Sequence, residues 1–326
     1  MLSRWLRYAL TAEAAVFAMV GGVFFWARGA NLAEAAALAL IGFLAFNAAI
    51  VALVILTTYT FALKSARESP DGLKLPIVPG GRMVAKEWLA TLLLFVFIQP
   101  FERWWMGADI IRRGSGRTTV VLVHGYCCNQ GFWWWLRSRL RPHGLQIATL
   151  NLEPPFGSLD ELTESLRARL DALSAEAASE EVVLVGHSMG GLVASAYMRR
   201  YGPGPVTKLV TLGTPHHGSR LARFGPGRNA REMEPGSDWL HQWTEADALP
   251  VPTISARSPY DNYVIPQDSS ILTSARNIVL PAVGHLAMAF SSDVLRLLVH
   301  EITEAACSTS GEIGKRPKNA HRATAE

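Results

Sequence analysis

Between Glu34 and Lys64 lie 29 consecutive residues without a charged side chain, Ala35 to Leu63. About 20 apolar residues in helical form cross the hydrocarbon of a bilayer, so this run predicts a transmembrane helix. A chain that carries one does not fold as a plain water-soluble globule. Tyr8 to Ala27 is a second candidate span, weakened by Glu13 near its start and followed by Trp26 and Arg28 in the manner of an interfacial anchor. Trp88 to Phe101 is a third apolar stretch of only 14 uncharged residues. Its length leaves it open as a short span, an interfacial helix or a buried core helix.

Arg4 and Arg7 before the first segment would suit a signal peptide, but a second span follows closely and Arg28-Gly-Ala-Asn is a poor cleavage site. An uncleaved anchor is the expectation. Arg4 and Arg7 precede the first span and Lys64, Arg67, Lys74, Arg82 and Lys86 follow the second, whereas Arg28 is the one basic residue between them. The positive-inside rule then predicts a hairpin with both ends cytoplasmic, in a bacterial inner membrane. The side taken by the rest of the chain depends on whether Trp88–Phe101 crosses; Arg112, Arg113 and Arg117 beyond it favour the inside.

Charge excludes a nucleic-acid role. The net charge of +4 divides into +3 for residues 1–106, −1 for 107–306 and +2 for 307–326. The basic excess therefore sits at the ends, and the middle lacks an electrostatic footprint for phosphates. Three cysteines, two of them adjacent at Cys127 and Cys128, provide neither a disulfide framework nor zinc spacing. A transporter is disfavoured because the apolar segments show no inverted repeat and no buried charged pair.

From about residue 107 the texture changes. Short runs rich in β-branched residues occur at Thr118–Val123, Gln146–Leu150, Val182–Val185, Lys208–Leu212, Pro252–Ser255 and Asn277–Leu280. Helical patterns lie between several of them. The clearest is Ser158–Ala178, where Leu159, Leu162, Leu166, Leu170 and Leu173 form one stripe and Ser158 with Glu161 makes a capping box. Strands alternating with helices predict an α/β fold with a mostly parallel sheet flanked by helices. Residues 1–106 are expected to form the membrane region, 107–306 the catalytic domain and 307–326 a disordered tail.

Val182–Gly191 reads VVLVGHSMGG, a buried strand running into G-x-S-x-G and then a helical pattern. A strand that reverses sharply into a helix with a side chain at its apex leaves no room for a Cβ two residues to either side, hence the glycines. Ser188 at that apex is the candidate nucleophile. A serine hydroxyl needs a base held by an acid. In this strand–turn–helix architecture the chain order is Ser, acid, His. His285, in a loop after a strand, is the candidate base; His300 lies within a helical run and His321 in the tail. Asp261 is the candidate acid, with Asp268 and Asp247 as rivals. The oxyanion is expected to be met by the backbone N–H groups of Met189 and of Tyr126, in the His124-Gly125-Tyr126 loop. His124 is read as a structural residue that fixes this loop. Trp133, Trp134 and Trp135 are equally readable as an acyl-pocket lining or as helix core or membrane-surface residues. Cys127 and Cys128 are expected to be inert packing. Neither metal nor cofactor is expected.

VLVHGY at 121–126, GHSMGG at 186–191, TLGTPHHGS at 211–219, YDNYVIP at 260–266 and VGHL at 283–286 resemble the α/β-hydrolase superfamily. Within it they resemble bacterial triacylglycerol lipases and carboxylesterases. The resemblance covers about 107–306. It implies the α/β-hydrolase fold, Ser188 as nucleophile, His285 as base, Asp261 as its partner and the Tyr126 and Met189 amides as oxyanion donors. It also implies a lid or cap insertion at about 220–243. The function implied is a membrane-anchored serine hydrolase of lipid or other acyl esters. A thioesterase, amidase or acyltransferase of the same fold stands as the alternative, as does a non-catalytic membrane-tethered binding protein. The hydrophobic N-terminus departs from a secreted lipase.

Overall fold

The computed structural model describes residues 1–29, 31–67, 77–112, 118–177, 181–244 and 248–313. Arg113, Arg117, Asp247, His321, Lys74 and the tail from 314 onward, all weighed above, lie outside the described residues.

Two long helices, α1 (Leu2–Arg28) and α2 (Leu32–Arg67), form an antiparallel hairpin. Phe17 packs against Phe43 and Phe46, with ring centroids 6.4 and 5.7 Å apart. Asn47 Nδ2 donates to Glu13 at 2.7 Å, so the one charge in the first apolar segment has a polar partner on the second. Most large apolar side chains along the hairpin, among them Met19, Val23, Leu40, Ile41 and Phe46, are exposed. That is the reverse of a buried core helix. The open end of the hairpin turns inward: Leu2 and Ser3 of α1 are buried and Trp5 stacks on Phe156, and in the C-terminal half of α2 Val51, Ile55 and Tyr59 are buried with Met83 of α3 (Ile77–Leu92).

The winding of α3 widens to a π-helix over Leu93–Ile98, and a short α4 (Glu102–Met106) follows. Ala90, Leu94, Ile98 and Met106 enter the same core cluster as the sheet. Of the three readings of Trp88–Phe101, the core helix is the one observed. Fourteen residues of helix reach about 21 Å, too short for a hydrocarbon core of about 30 Å. The packed core thus begins well before residue 107.

Six parallel strands form one sheet: β1 (Thr119–Val123), β2 (Gln146–Thr149), β3 (Val182–His187), β4 (Val206–Leu212), β5 (Thr253–Arg257) and β6 (Arg276–Val279). Each coincides with one of the β-branched runs. Their order is β2-β1-β3-β4-β5-β6. Along β1, Val120 and Leu122 point to one core cluster and Val121 and Val123 to the other, as the two-residue period of a strand buried on both faces requires. The first cluster holds the α3–α4 segment, α5 (Trp134–Leu140) and α10 (Ser292–Ile313). The second holds α6 (Leu159–Ala177) and α7 (Met189–Tyr201).

The start of α6 forms the expected capping box. Ser158 N–H donates to Glu161 at 2.9 Å and Glu161 N–H to Ser158 Oγ at 3.2 Å. Two short helices, α8 (Arg228–Glu232) and α9 (Asp238–Thr244), and a 3₁₀ turn at Arg220–Phe224 occupy the segment between β4 and β5. Helix α10 continues to Ile313, so the first seven residues of the 307–326 tail expected to be disordered are helical. No proline interrupts them before Pro317, and extending an existing helix is far cheaper than nucleating one.

Candidate active site

The strand order reverses on either side of the β1/β3 pair, and at such a point the loops after the two strands part to leave a crevice. Ser188 follows β3 there. Its backbone is at φ 54°, ψ −126°, a strained conformation for a residue with a Cβ. The neighbouring glycines meet a steric demand: a Cβ on Gly190 would fall 2.3 Å from the Val123 carbonyl oxygen, and one on Gly186 2.6 Å from Gly191. Ser188 N–H donates to the Leu212 carbonyl at 2.9 Å, which ties the turn to β4. Helix α7 starts at Met189, whose N–H therefore has no acceptor within the helix.

Asp261 lies in the loop after β5 and is buried. One carboxylate oxygen accepts the Tyr263 and Val264 N–H groups, both at 2.8 Å. The other accepts His285 Nδ1–H at 2.7 Å. Burial disfavours a charged His285 imidazole, but the charge and hydrogen bond of Asp261, helped by the charge of Glu87, outweigh it and hold the ring above its ordinary value. The rival Asp268 is half-exposed and pairs with Arg257 at 3.2 Å. His300 lies exposed on α10.

His187 stacks on Phe132, centroids 4.3 Å apart, and its Nε2 bonds the His285 carbonyl at 3.1 Å. Burial, with His285 beside it, keeps this ring neutral. In the loop after β1, His124 Nδ1–H donates to the Gly125 carbonyl at 2.9 Å and Nε2 accepts Leu152 N–H at 3.0 Å. Burial lowers His124 to about 4, so it is a neutral brace, as its sequence reading expects. Trp133 is fully buried and Trp134 and Trp135 pack on the same core; the core reading of the three tryptophans holds. Burial raises the Cys127 thiol to about 11.

Ser188, His285 and Tyr126 line one cavity of about 800 Å³. Its other walls come from Cys127, from Leu221, Ala222, Phe224 and Met233 of the 220–243 segment, and from α2.

Three supports of this site were not singled out in the sequence. Glu87 on α3 accepts the Leu286 and Ala287 N–H groups at 2.9 and 2.7 Å, directly after His285. Burial raises its carboxyl to about 7, against the two hydrogen bonds that favour the charge. Asn262 accepts His285 N–H at 3.2 Å and donates to Thr58 of α2 at 2.9 Å. Gln99 accepts Asn129 N–H at 2.8 Å and receives Asn129 Nδ2 on its carbonyl at 2.9 Å, which fastens the far end of the Tyr126 loop. All three act across tens to hundreds of residues of chain, where no local spacing betrays them.

Comparison with known proteins points one way. Residues 160–299 match a family described as a PGAP1-like alpha/beta domain. A triacylglycerol lipase of Pseudarthrobacter phenanthrenivorans is 36% identical over 117 residues, which is 33% of this chain and 36% of that protein. Among solved structures, Aspergillus fumigatus lipase B superposes with a TM-score of 0.54 at 19% identity, over 60% of this chain and 55% of that one. The mature Bacillus licheniformis lipase BlEst2 superposes with a TM-score of 0.53 at 16% identity, over 60% of this chain and 96% of that one. The sequence match spans little more than a third of the lipase, and the two structures establish the fold.

Proposed function

We propose that this chain, an α/β-hydrolase by fold, is a membrane-anchored serine hydrolase of carboxylic esters, with lipid esters as its substrates. The observation that carries the reading is that Ser188, on its strained turn, and His285, backed by the buried Asp261, line a single cavity with largely apolar walls. Ser188 Oγ attacks the ester carbonyl carbon while His285 Nε2 takes its proton. The oxyanion is met by the N–H groups of Tyr126 and Met189. His285 then protonates the departing alcohol, and an acyl group remains on Ser188. Water, deprotonated by the same imidazole, releases the acid and restores the serine. Asp261 fixes the ring with Nδ1 protonated and stabilises the imidazolium.

The membrane assignment is supported by the exposed apolar surface of α1 and α2 and by the basic residues at the open end of the hairpin. Exposed apolar area on this scale is what a bilayer covers. Because Trp88–Phe101 packs on the sheet, the domain lies on the side of the hairpin's ends, which the positive-inside rule makes cytoplasmic.

The test is labelling with a fluorophosphonate. Wild-type protein is expected to react at Ser188 and to hydrolyse p-nitrophenyl esters. Ser188→Ala is expected to lose labelling and about 10⁶-fold in kcat. Labelling of a different serine would overturn the assignment.

A further inference from the structure

Helix α2 is longer than a bilayer requires. Its 36 residues reach about 54 Å against a hydrocarbon core of about 30 Å. The pairing of Glu13 with Asn47 and of Phe17 with Phe43 fixes the antiparallel register of the hairpin. Carried toward the open end, this register sets Leu53 level with Arg7. An arginine there marks the headgroup boundary, so α2 leaves the hydrocarbon at about Leu53. Beyond that point it divides into two faces. Ile55, Tyr59 and Ala62 are buried against the domain. Leu53, Val54, Thr57 and Phe61 face the cavity that holds Ser188 and His285. From Leu53 to Phe61 this wall is about 12 Å long.

The opposite wall is Leu221, Ala222 and Phe224 of the 220–243 segment. The two walls meet where Phe61 and Phe224 approach, ring centroids 5.7 Å apart. Among the described residues, no Asp, Glu, Lys or Arg lines the cavity. The lining thus offers no counter-charge to a charged group, and its aliphatic and aromatic side chains suit an acyl chain. The cavity volume lies in the upper part of the usual range for ligand sites.

We infer that α2 is one wall of the acyl-binding site. A long-chain ester resident in the bilayer then reaches Ser188 by sliding along the Leu53–Phe61 wall of α2, without passing through water. The route follows from continuity. The apolar face of α2 runs without a charged side chain from the bilayer level to the nucleophile, so each methylene exchanges one apolar contact for another. Through water, every methylene would be exposed and would add to the barrier. This inference rests on the serine-ester reading above.

The experiment uses the full chain in phosphatidylcholine vesicles and a C16 alkyl fluorophosphonate with a diazirine in the distal half of its chain. Attachment at Ser188 followed by photolysis is expected to cross-link the tail to residues 53–61. Attachment at Ser188 with cross-links confined to other elements would overturn the acyl wall while leaving the hydrolase reading intact. Failure of the probe to attach to Ser188 would remove the hydrolase reading, and this inference with it. As a second readout, Val54→Trp and Phe61→Trp are expected to lower the ratio of kcat/KM for palmitoyl over butyryl p-nitrophenyl ester at least tenfold. An unchanged ratio in both variants would also overturn the inference.

Discussion

Asp261 and Asp268 stand in one loop but serve different partners: the first a buried imidazole, the second a surface guanidinium. An amide at position 261 removes the acceptor that selects the Nδ1-protonated tautomer of His285. Asp261→Asn is accordingly expected to cost about 10⁴-fold in kcat, the magnitude known for the loss of this acceptor in a serine protease. Asp268→Asn removes a half-exposed ion pair and is expected to stay within a few-fold; steady-state rates on a soluble ester decide between them. The same carboxylate governs pH dependence. The base must be neutral to act, and Asp261 favours its charged form. Activity should rise with pH through a midpoint above the ordinary imidazole value of 6.5. A pH profile of kcat/KM with its acid limb at or below that value would contradict the geometry. At this scale the sequence was informative. The placing of Ser188 on a glycine-flanked turn, and of Asp261 and His285 in loops at strand ends, was legible in the local motifs. Glu87 was not. It flanks an apolar segment like any helix-end charge, and its role depends on a contact with Leu286 that only packing creates.

Among the elements, the strands were readable because β-branched runs bounded by turn residues have few alternative folds, and α6 because its leucine stripe and capping box agree. The segment Trp88–Phe101 was ambiguous because fourteen apolar residues satisfy a core and an interface equally. Its packing changes what a truncated chain can do. A protein beginning at Gly107 lacks Ala90, Leu94, Ile98 and Met106 from the core. Losing a single buried aliphatic side chain costs about 2–5 kcal/mol, and a domain has about 5–15 kcal/mol in all. Such a truncation is expected to aggregate on expression, as size-exclusion chromatography would show. Helix α3 also carries a pH signature. Folded Glu87 keeps its proton to about pH 7, whereas the unfolded chain releases it near 4.5. Between those values the folded state binds more protons, so stability falls as pH rises, by on the order of 3 kcal/mol from this group. Glu87→Gln is expected to flatten that slope in thermal unfolding scans run from pH 4.5 to 7. A slope equal to that of wild type would show that Glu87 does not hold the proton.

At the level of the molecule, the apolar hairpin and the α/β domain share one set of contacts. The full chain is expected to remain with membranes through carbonate and high-salt washes and to leave only in detergent, since an inserted hairpin is held far more firmly than a surface helix. Recovery in the soluble fraction without detergent would refute the anchor. The partition of charge and hydropathy made the two regions visible in the sequence, but not their joint, because a hydrogen bond from Asn262 to Thr58 leaves no trace in composition. That bond, at 2.9 Å, continues through Asn262 to the backbone of the histidine that the mechanism needs. The hairpin is therefore not an interchangeable part. Grafting an unrelated pair of helices in its place would take Thr58 from Asn262, and with it one of the holds on the His285 backbone.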